Sequence, residues 1–344
     1  MKKILVLGNF GYNGNRLDGQ TIKTRNTFQL ITEFYSNVDF YDTGDYKVNK
    51  WSIFTMFYKI ISCDVLIYLP AQNNLKFLFP LIFLTSILFD FTILYFVIGG
   101  WLREVIERLP IHQYMLRRVA GIYVETKRMK KELETDLMFC NIDIFPNFRF
   151  FDAEFKCDFS KIKGDCLNLC FVSRVEKSKG LDIMLKIYDE MSKESIIDSI
   201  KIDVYGMKTD SFFDEYLSDI KMFCYKGIVE PKDILGVLVK YDALLFPSHY
   251  EGEGCPGVLV EALSVGLPII ASDWKYNGEF VENGVNGYLC SPYDVDVYCN
   301  AIKDLQKDLL KRNKMGEESY KKKDYYSVSN ARNMMSEIFS KKLK

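Results

Sequence analysis

Short apolar runs alternate with longer amphipathic stretches along most of this chain. The runs have the length and composition of buried strands, and residues 20–35, 181–191 and 296–312 are typical of helices. Six runs lie in the first half, at 3–8, 38–41, 65–69, 91–98, 121–125 and 142–145, and five in the second, at 167–173, 200–205, 243–246, 267–271 and 287–290. This alternation predicts an α/β fold of two Rossmann-like, doubly wound parallel-sheet domains that face a central cleft and bind ligands beyond the carboxyl ends of their strands.

A loss of periodicity at residues 146–163 marks the expected linker between the domains. Aromatic and charged residues follow one another there at no regular spacing. We therefore predict a first domain over 1–155, a second over 156–325 and a C-terminal helix over 326–344. The chain has 344 residues, of which 48% are hydrophobic, and this is enough for two separate cores.

The most apolar stretch, residues 77–101, is long enough to cross a membrane. Asp90 divides it, because residues 77–89 have the length of a helix and residues 91–98 are β-branched and aromatic like a buried strand. We favour a helix, a turn and a strand over a membrane span. The outer face of such a helix has few polar groups, so we expect it to touch a bilayer surface.

The most informative residue is Glu261, a carboxylate inside an apolar helix. Pro256 suits a helix start, and hydrocarbon side chains surround Glu261 before Gly266 and Pro268 end the run. Burial of an ionised carboxylate without partners costs several kcal/mol, so a ligand such as the vicinal hydroxyls of a sugar is expected to satisfy it. The first N–H groups of this helix, on Gly257, Val258 and Leu259, would favour a phosphate.

A second motif, at residues 173–182, follows a strand and opens a helix. It contains Arg174, Lys179 and Gly180. Arg174 offers a planar fork of donors and Lys179 a point charge, so the pair is suited to hold a diphosphate. The other interpretation of this motif is a solvated, charged turn.

Glu253, seven intervening residues and Glu261, followed by Ala-Leu-Ser-Val-Gly-Leu-Pro-Ile-Ile, resemble the signature of the family 4 retaining glycosyltransferases, which have the GT-B fold. The resemblance implies that Arg174 and Lys179 bind the nucleotide diphosphate, that Glu261 holds the ribose hydroxyls and that Glu253 holds the donor sugar. It also implies that the last helix crosses back to the first domain.

The amino-terminal loop, residues 8–21, follows the first strand, and its glycines allow close approach to a ligand. In enzymes of the resembling family this loop lies over the sugar and the acceptor, so Gly19, Gln20 and Thr21 are candidate binding residues, with a plain loop as the alternative. His249, beside the Glu253 loop, is a candidate for the sugar or phosphate, or a packed core residue. Many relatives have a histidine where this chain has Gly99-Gly100-Trp101, and His112 is expected to be an ordinary helix residue.

The charge is nearly balanced, with 45 Lys and Arg against 46 Asp and Glu, so nucleic acid is not expected as a partner. Residues 1–150 hold 18 basic and 14 acidic residues, a modest excess that would favour anionic lipid. Nine scattered cysteines and the absence of a signal-peptide pattern at Met1-Lys2-Lys3-Ile4 predict a reducing cytoplasm. Cys166 and Cys170 are expected to be thiols rather than metal ligands.

These features together predict transfer of a sugar from a nucleotide-sugar donor to a glycan acceptor, with retention of configuration. Retention can come from attack on the same face or from a covalent intermediate, and the residues leave both open. Because Arg174, Lys179 and the helix start supply positive charge, we predict no metal and no cofactor. The acceptor is expected to be lipid-linked, as in bacterial surface-polysaccharide assembly, with the enzyme peripheral at the cytoplasmic membrane face. The alternatives are a GT-B sugar-nucleotide epimerase, a silent sugar-nucleotide binder and an integral membrane protein.

Overall fold

A computed structural model of the protein describes residues 2–14, 18–151, 166–209, 220 and 222–343. The chain divides into two compact units. Unit 1 comprises Met1–Phe150 and Tyr326–Lys344, and unit 2 comprises Phe151–Tyr325. Most of the linker predicted at 146–163, with the predicted domain junction at 155/156, lies outside the described residues.

Unit 1 is built on a parallel sheet that has six strands in the described part of the chain. They are β1 (Ile4–Gly8), β2 (Val38–Asp42), β3 (Val65–Leu69), β4 (Thr92–Phe96), β5 (Gly121–Val124) and β6 (Ile142–Ile144), in the order β2-β1-β3-β4-β5-β6. Each predicted run of the first half forms a strand, and each observed end lies within two residues of the predicted one. The runs are apolar because helices cover both faces of the sheet.

Helices α1 to α8 connect these strands. They are α1 (Gly19–Thr32), α2 (Asp45–Val48), α3 (Ser52–Ile61), α4 (Gln72–Phe77), α5 (Phe79–Phe89), α6 (Leu102–Glu107), α7 (Pro110–Leu116) and α8 (Lys127–Asp136). Leu30 and Ile31 of α1 pack with Ile67 on one face of the sheet. On the other face, the Phe79 ring of α5 lies 6.1 Å from the Tyr68 ring and 5.7 Å from the Tyr95 ring. Neighbouring residues 67 and 68 serve opposite faces because side chains alternate along a strand.

The apolar stretch 77–101 is a helix, a turn and a strand, as predicted. Helix α5 has 11 residues and ends at Asp90, which adopts the left-handed conformation at φ 52°, and β4 follows. A helix of this length extends about 16 Å, roughly half the hydrocarbon thickness of a bilayer. In the part of the chain described, no helix combines the length and the apolar character that a membrane crossing needs. His112 lies in α7, as expected, with Nε2 3.0 Å from the Lys76 carbonyl oxygen.

Unit 2 contains a second parallel sheet, also of six strands within the described ranges. They are β7 (Leu167–Val172), β8 (Ile200–Tyr205), β9 (Phe223–Gly227), β10 (Ala243–Phe246), β11 (Ile269–Ser272) and β12 (Gly287–Cys290), in the order β12-β11-β10-β7-β8-β9. The chain runs outward from β7 to β9 on one side and from β10 to β12 on the other. The strand order therefore reverses between β7 and β10, where ligands of such sheets bind.

Helices α9 to α13 complete unit 2 in the described residues. They are α9 (Leu181–Met191), α10 (Ile234–Leu238), α11 (Gly257–Ser264), α12 (Val295–Lys307) and α13 (Leu309–Lys321). The prediction of a single helix at 296–312 is wrong, because the helix is interrupted at Asp308. The Asp308 side chain accepts a hydrogen bond of 2.9 Å from the Lys311 N–H and so caps a new helix.

The last helix, α14 (Val328–Lys342), belongs to unit 1 and packs on α1. Arg332 donates to both carboxylate oxygens of Glu33, at 2.6 and 3.0 Å. The Phe339 ring meets the rings of Phe34 and Tyr35 edge to face. Unit 1 is therefore assembled from both ends of the chain.

Candidate functional site

The loops that follow β7 and β10 lie side by side because these strands are neighbours. The His249 N–H donates to the Ser178 carbonyl at 3.0 Å. Gly180 has φ +93°, and a Cβ there would lie 2.2 Å from the Pro247 carbonyl oxygen, so glycine is required on both counts. The two sequence motifs thus meet through their backbones at the point where the strand order reverses.

Lys179 and Glu253 form an ion pair at this edge. Lys179 Nζ contacts Glu253 Oε1, and Ser248 Oγ donates to the same oxygen at 2.7 Å. The Lys179 and Glu253 side chains are only 10% and 8% exposed. Because a carboxylate removed from water needs a cation and donors, Lys179 and Ser248 together account for the burial of Glu253.

Both predicted cations converge on the ring of Tyr250. The Arg174 guanidinium carbon lies 5.4 Å from the ring centroid, and Lys179 Nζ lies 4.2 Å from it. Arg174 is partly exposed and also pairs with Glu176 at 3.2 Å. The π face of Tyr250 attracts both positive charges, so the ring holds them close together. Sequence reasoning missed Tyr250, since one aromatic residue in a loop has no periodic pattern.

Helix α11 begins beside Glu253, at Gly257, after the extended Pro256. The first N–H groups of a helix have no carbonyl one turn earlier to accept from them. This holds for Gly257 and Val258, which remain candidates for contact with an anion. The Leu259 N–H was predicted to be free, but it donates to the Pro256 carbonyl at 3.1 Å in a tightened first turn.

Glu261 lies in the middle of α11 and is 9% exposed. This low exposure shows that Glu261 is not an ordinary solvated residue of the helix, although Gly257, Val258 and Ser264 on the same side of the helix are only partly buried. The unusual burial read from the sequence is therefore present in the fold.

Polar residues at the end of β11 and just after it hold the Glu253 loop through hydrogen bonds. Ser272 Oγ donates to the Ser248 carbonyl, and Asn277 Nδ2 donates to the Ser272 carbonyl at 3.0 Å. All three side chains are fully buried. The Trp274 indole N–H also donates to the Tyr250 carbonyl at 2.9 Å. These bonds tie the loop to the residues at and after the end of β11, and the sequence did not point to Ser272 or Asn277.

His249 lies in the same loop. Its Nδ1 is buried and has no hydrogen-bond partner among the described residues. A buried ring nitrogen that lacks a partner can accept or donate a bond to a ligand. His249 therefore remains a candidate binding residue.

The candidates from the amino-terminal loop belong to unit 1, where Gly19, Gln20 and Thr21 form the first turn of α1. Asp18 caps this helix by accepting from the Thr21 N–H at 3.0 Å, and Thr21 Oγ1 donates to the Asp18 carbonyl at 2.9 Å. Gln20 Nε2 is buried without a partner in the part of the chain described. Residues 15–17 of the same loop lie outside that part.

No group of three or more His, Cys, Asp and Glu side chains suited to a metal ion occurs in the described ranges. Cys170 is a buried thiol with Sγ 3.8 Å from the Ala243 carbonyl oxygen. The chain has an Asp-x-Asp sequence, Asp294-Val295-Asp296, at the start of α12. These two carboxylates are not part of a group of three possible metal ligands in the described ranges.

Comparisons with known proteins agree with this geometry. Residues 153–322 match the family described as glycosyl transferases group 1. The poly(glycerol-phosphate) alpha-glucosyltransferase of Bacillus subtilis is 30% identical over 46% of this chain and 24% of its own length. An uncharacterized 41.2 kDa protein in the cps region of Klebsiella pneumoniae is 27% identical over 41% of this chain and 37% of its own. This chain therefore matches well under half the length of either relative.

Solved structures with a similar fold cover nearly the whole of this chain. HepE of Anabaena, crystallised in complex with UDP, superimposes with a TM-score of 0.73 at 13% identity, covering 98% of this chain and 99% of HepE. At this identity the likeness concerns the fold. Together with the two parallel sheets, it shows that the chain has the GT-B fold.

Proposed function

We propose that the protein, whose residues 153–322 match the glycosyl transferases group 1 family, is a retaining glycosyltransferase. It moves a sugar from a nucleoside diphosphate, UDP or GDP, to a glycan acceptor. The observation that carries this proposal is the buried contact of Lys179 with Glu253 at the edge where β7 and β10 meet.

The donor binds at this edge of unit 2. Arg174 and Lys179 hold the diphosphate, and the N–H groups of Gly257 and Val258 add the positive end of a helix dipole. Glu261 accepts from the ribose hydroxyls and Glu253 from the donor sugar. The complex of HepE with UDP supports a uridine nucleotide as the first ligand to try.

The reaction breaks the bond between the anomeric carbon and the diphosphate oxygen. A bond to the acceptor hydroxyl oxygen forms with net retention, and the hydroxyl proton passes to the departing diphosphate. Negative charge grows on the leaving group and positive charge on the sugar ring. Arg174 and Lys179 stabilise the first and the Glu253 carboxylate the second, so we propose that no metal or cofactor takes part.

The acceptor is a glycan, lipid-linked, in the assembly of a bacterial surface polysaccharide at the cytoplasmic face of the membrane. The names of two relatives support only the part of this proposal that concerns polymer assembly, since one acts on poly(glycerol-phosphate) and the other lies in a cps region. Gly19, Gln20 and Thr21 of unit 1 are the proposed contacts to the acceptor and the transferred sugar.

The proposal is tested with the full chain by thermal shift against UDP-, GDP- and ADP-sugars, each with and without EDTA. A ligand that binds the native state raises the melting temperature, and we expect one class of sugar nucleotide to do so equally in EDTA. Loss of the shift in EDTA would contradict metal independence. Turnover of a sugar nucleotide to an epimer without acceptor would instead favour the epimerase.

Lys179→Met and Lys177→Met form a matched pair for the same assay. Both residues lie in one short turn, but Lys177 is exposed and Lys179 is buried against Glu253. We expect Lys179→Met to lose the shift and Lys177→Met to retain it. Equal responses of the two variants would show that the diphosphate does not bind at Lys179.

A further inference from the structure

Unit 1 exposes a set of large apolar side chains on three adjacent helices. Helix α5 contacts both α3 and α7. The exposed residues are Phe54, Tyr58 and Ile61 on α3, Leu81, Leu84, Ile87, Leu88 and Phe89 on α5, Ile111 and Tyr114 on α7, and Val48, Trp51 and Phe77 in the segments that lead into α3 and α5. We name this set the α3–α5–α7 surface.

Helix α5 is apolar on both sides. Phe79, Ile82 and Phe83 are buried against the sheet, while Leu84 and Leu88 are 56% and 78% exposed. A helix on the surface of a soluble protein normally turns charged and polar residues to the solvent. Since α5 has no charged residue at all, its outer face is suited to an apolar medium.

The charges of this surface have one sign. Segments 46–62, 72–89 and 108–118 contain the three helices and their flanking residues, and they hold no Asp or Glu. Their cations are Lys47, Lys50, Lys76, Arg108, Arg117 and Arg118, together with Lys59, whose charge is paired with Asp39. Basic and acidic residues are nearly equal in the whole chain, so this separation of charge is local. The nearest acids along the chain are Asp45, Asp64, Asp90 and Glu107, each within two residues of the end of a segment.

The partner that matches both features is an anionic lipid surface. A second copy of the chain, joined by two-fold symmetry, would set the same cations against one another. Anionic lipid headgroups carry the charge opposite to that of the lysines and arginines, and the acyl chains provide an apolar medium for the leucine side chains. The exposed Trp51, Tyr58 and Tyr114 each combine an apolar ring with one polar atom, which is the composition that settles at a membrane interface.

We propose that the α3–α5–α7 surface docks this protein onto an anionic bilayer, with its helices lying in the plane of the interface. Helix α5, about 16 Å long, inserts its outer leucines among the headgroups without crossing. This inference rests on the membrane location in the proposed function and names the surface that would provide it. Lipid binding is measured without any sugar nucleotide, so failure of docking is distinguishable from failure of sugar transfer.

The experiment is co-sedimentation of the full chain with phosphatidylcholine vesicles, either pure or containing about one quarter phosphatidylglycerol. We expect binding to the anionic vesicles that weakens when salt rises from about 0.1 M to about 0.5 M. The double variant Leu84→Ser with Leu88→Ser is expected to bind at least about tenfold more weakly. Leu310→Ser is the matched control, because Leu310 is 82% exposed on α13 of unit 2.

Several results would overturn the proposal. They are no binding of the wild type, equal binding to both kinds of vesicle, and equal loss in the Leu310→Ser control. A lipid-free dimer that the Leu84 and Leu88 changes dissociate would assign the surface to a second copy instead. The melting temperature and nucleotide-sugar shift of the double variant, expected to match the wild type, separate failed docking from misfolding and from failure of the proposed function.

Discussion

Lys23 and Glu125 form a buried ion pair at the carboxyl ends of the strands of unit 1. Lys23 Nζ lies 2.6 Å from Glu125 Oε1, and the two side chains are 1% and 2% exposed. Lys23 also donates to the Val97 carbonyl at 3.1 Å, and Glu125 Oε2 accepts from the Gly99 N–H at 3.0 Å. The pair therefore joins α1 to the segments that follow β4 and β5.

Removal of the Lys23 charge should be costly, because Glu125 would remain buried without its cation. We expect Lys23→Met to lower the free energy of unfolding of unit 1 by about 3–5 kcal/mol. The double variant Lys23→Met with Glu125→Leu should recover part of that loss. Calorimetric melting of the three proteins measures both effects.

Lys59→Met is the control for this comparison. Lys59 pairs with Asp39 at 2.9 Å, but the two side chains are 29% and 40% exposed. An exposed pair contributes at most about 1 kcal/mol. Similar losses for Lys23→Met and Lys59→Met would show that burial of the first pair is not what makes it important.

Gly180→Ala should displace the loop after β10. The new Cβ would lie 2.2 Å from the Pro247 carbonyl oxygen at a residue with φ +93°, and the movement would separate Lys179 from Glu253. Gly227→Ala is matched in backbone, with φ +84° and no atom within 4 Å of the new Cβ. It should cost only about 1–2 kcal/mol of left-handed strain. In thermal shift, we expect only Gly180→Ala to abolish the response to the sugar nucleotide, and equal responses would argue against the contact.

Glu253→Gln should separate donor binding from turnover. The change removes the negative charge beside Lys179, so the diphosphate no longer competes with a carboxylate for that cation. We expect an unchanged or lower KM for the donor and a kcat lower by about two to three orders of magnitude. Glu251→Gln lies in the same loop, but its side chain is 72% exposed, and it should keep wild-type kinetics. A raised KM with unchanged kcat for Glu253→Gln would rule out its role beside the reacting sugar.

The contact of α14 with α1 should weaken in acid. The hydrogen bonds from Arg332 hold the pKa of Glu33 below its usual value of 4.5. A depressed carboxyl pKa stabilises the fold above the unfolded pKa, and that contribution is lost as the pH falls through the folded pKa. Arg332→Ala should cost less than about 1 kcal/mol near neutral pH, because the pair is partly exposed. Melting curves of wild type and variant should converge below pH 4.5, and a constant difference would assign the effect to packing.

Strands were easier to predict than helix ends. Eleven predicted runs became strands, because strands covered on both faces are continuously apolar. Strand β9 was missed because it lies at the sheet edge. It buries Phe223 but exposes Cys224 and Lys226, so it does not form a continuous apolar run. The break between α12 and α13 was missed for a different reason. Asp308 is compatible with a helix interior, and only the local backbone makes it a cap.

Within the site, the sequence identified the residues whose neighbours in the chain are unusual for their chemical type. Glu261 stood out because it is charged among hydrocarbon, and Lys179 because it stands beside a glycine between strand and helix. Tyr250, Ser272 and Asn277 gave no such indication, since polar and aromatic loop residues are common. The Leu259 N–H was assigned to an anion because the tightening of the first turn cannot be read from residue types.

The order of apolar and polar residues alone determined two parallel α/β sheets, since burial on both faces demands unbroken apolar strands. It also determined which motifs follow β7 and β10. Only the tertiary structure decided that these strands are neighbours, because a parallel pair is formed between segments that are distant in the chain. The contact of Lys179 with Glu253 and the convergence of two cations on Tyr250 depend on that pairing. The exposure of apolar side chains on α3, α5 and α7 together depends on the packing within unit 1.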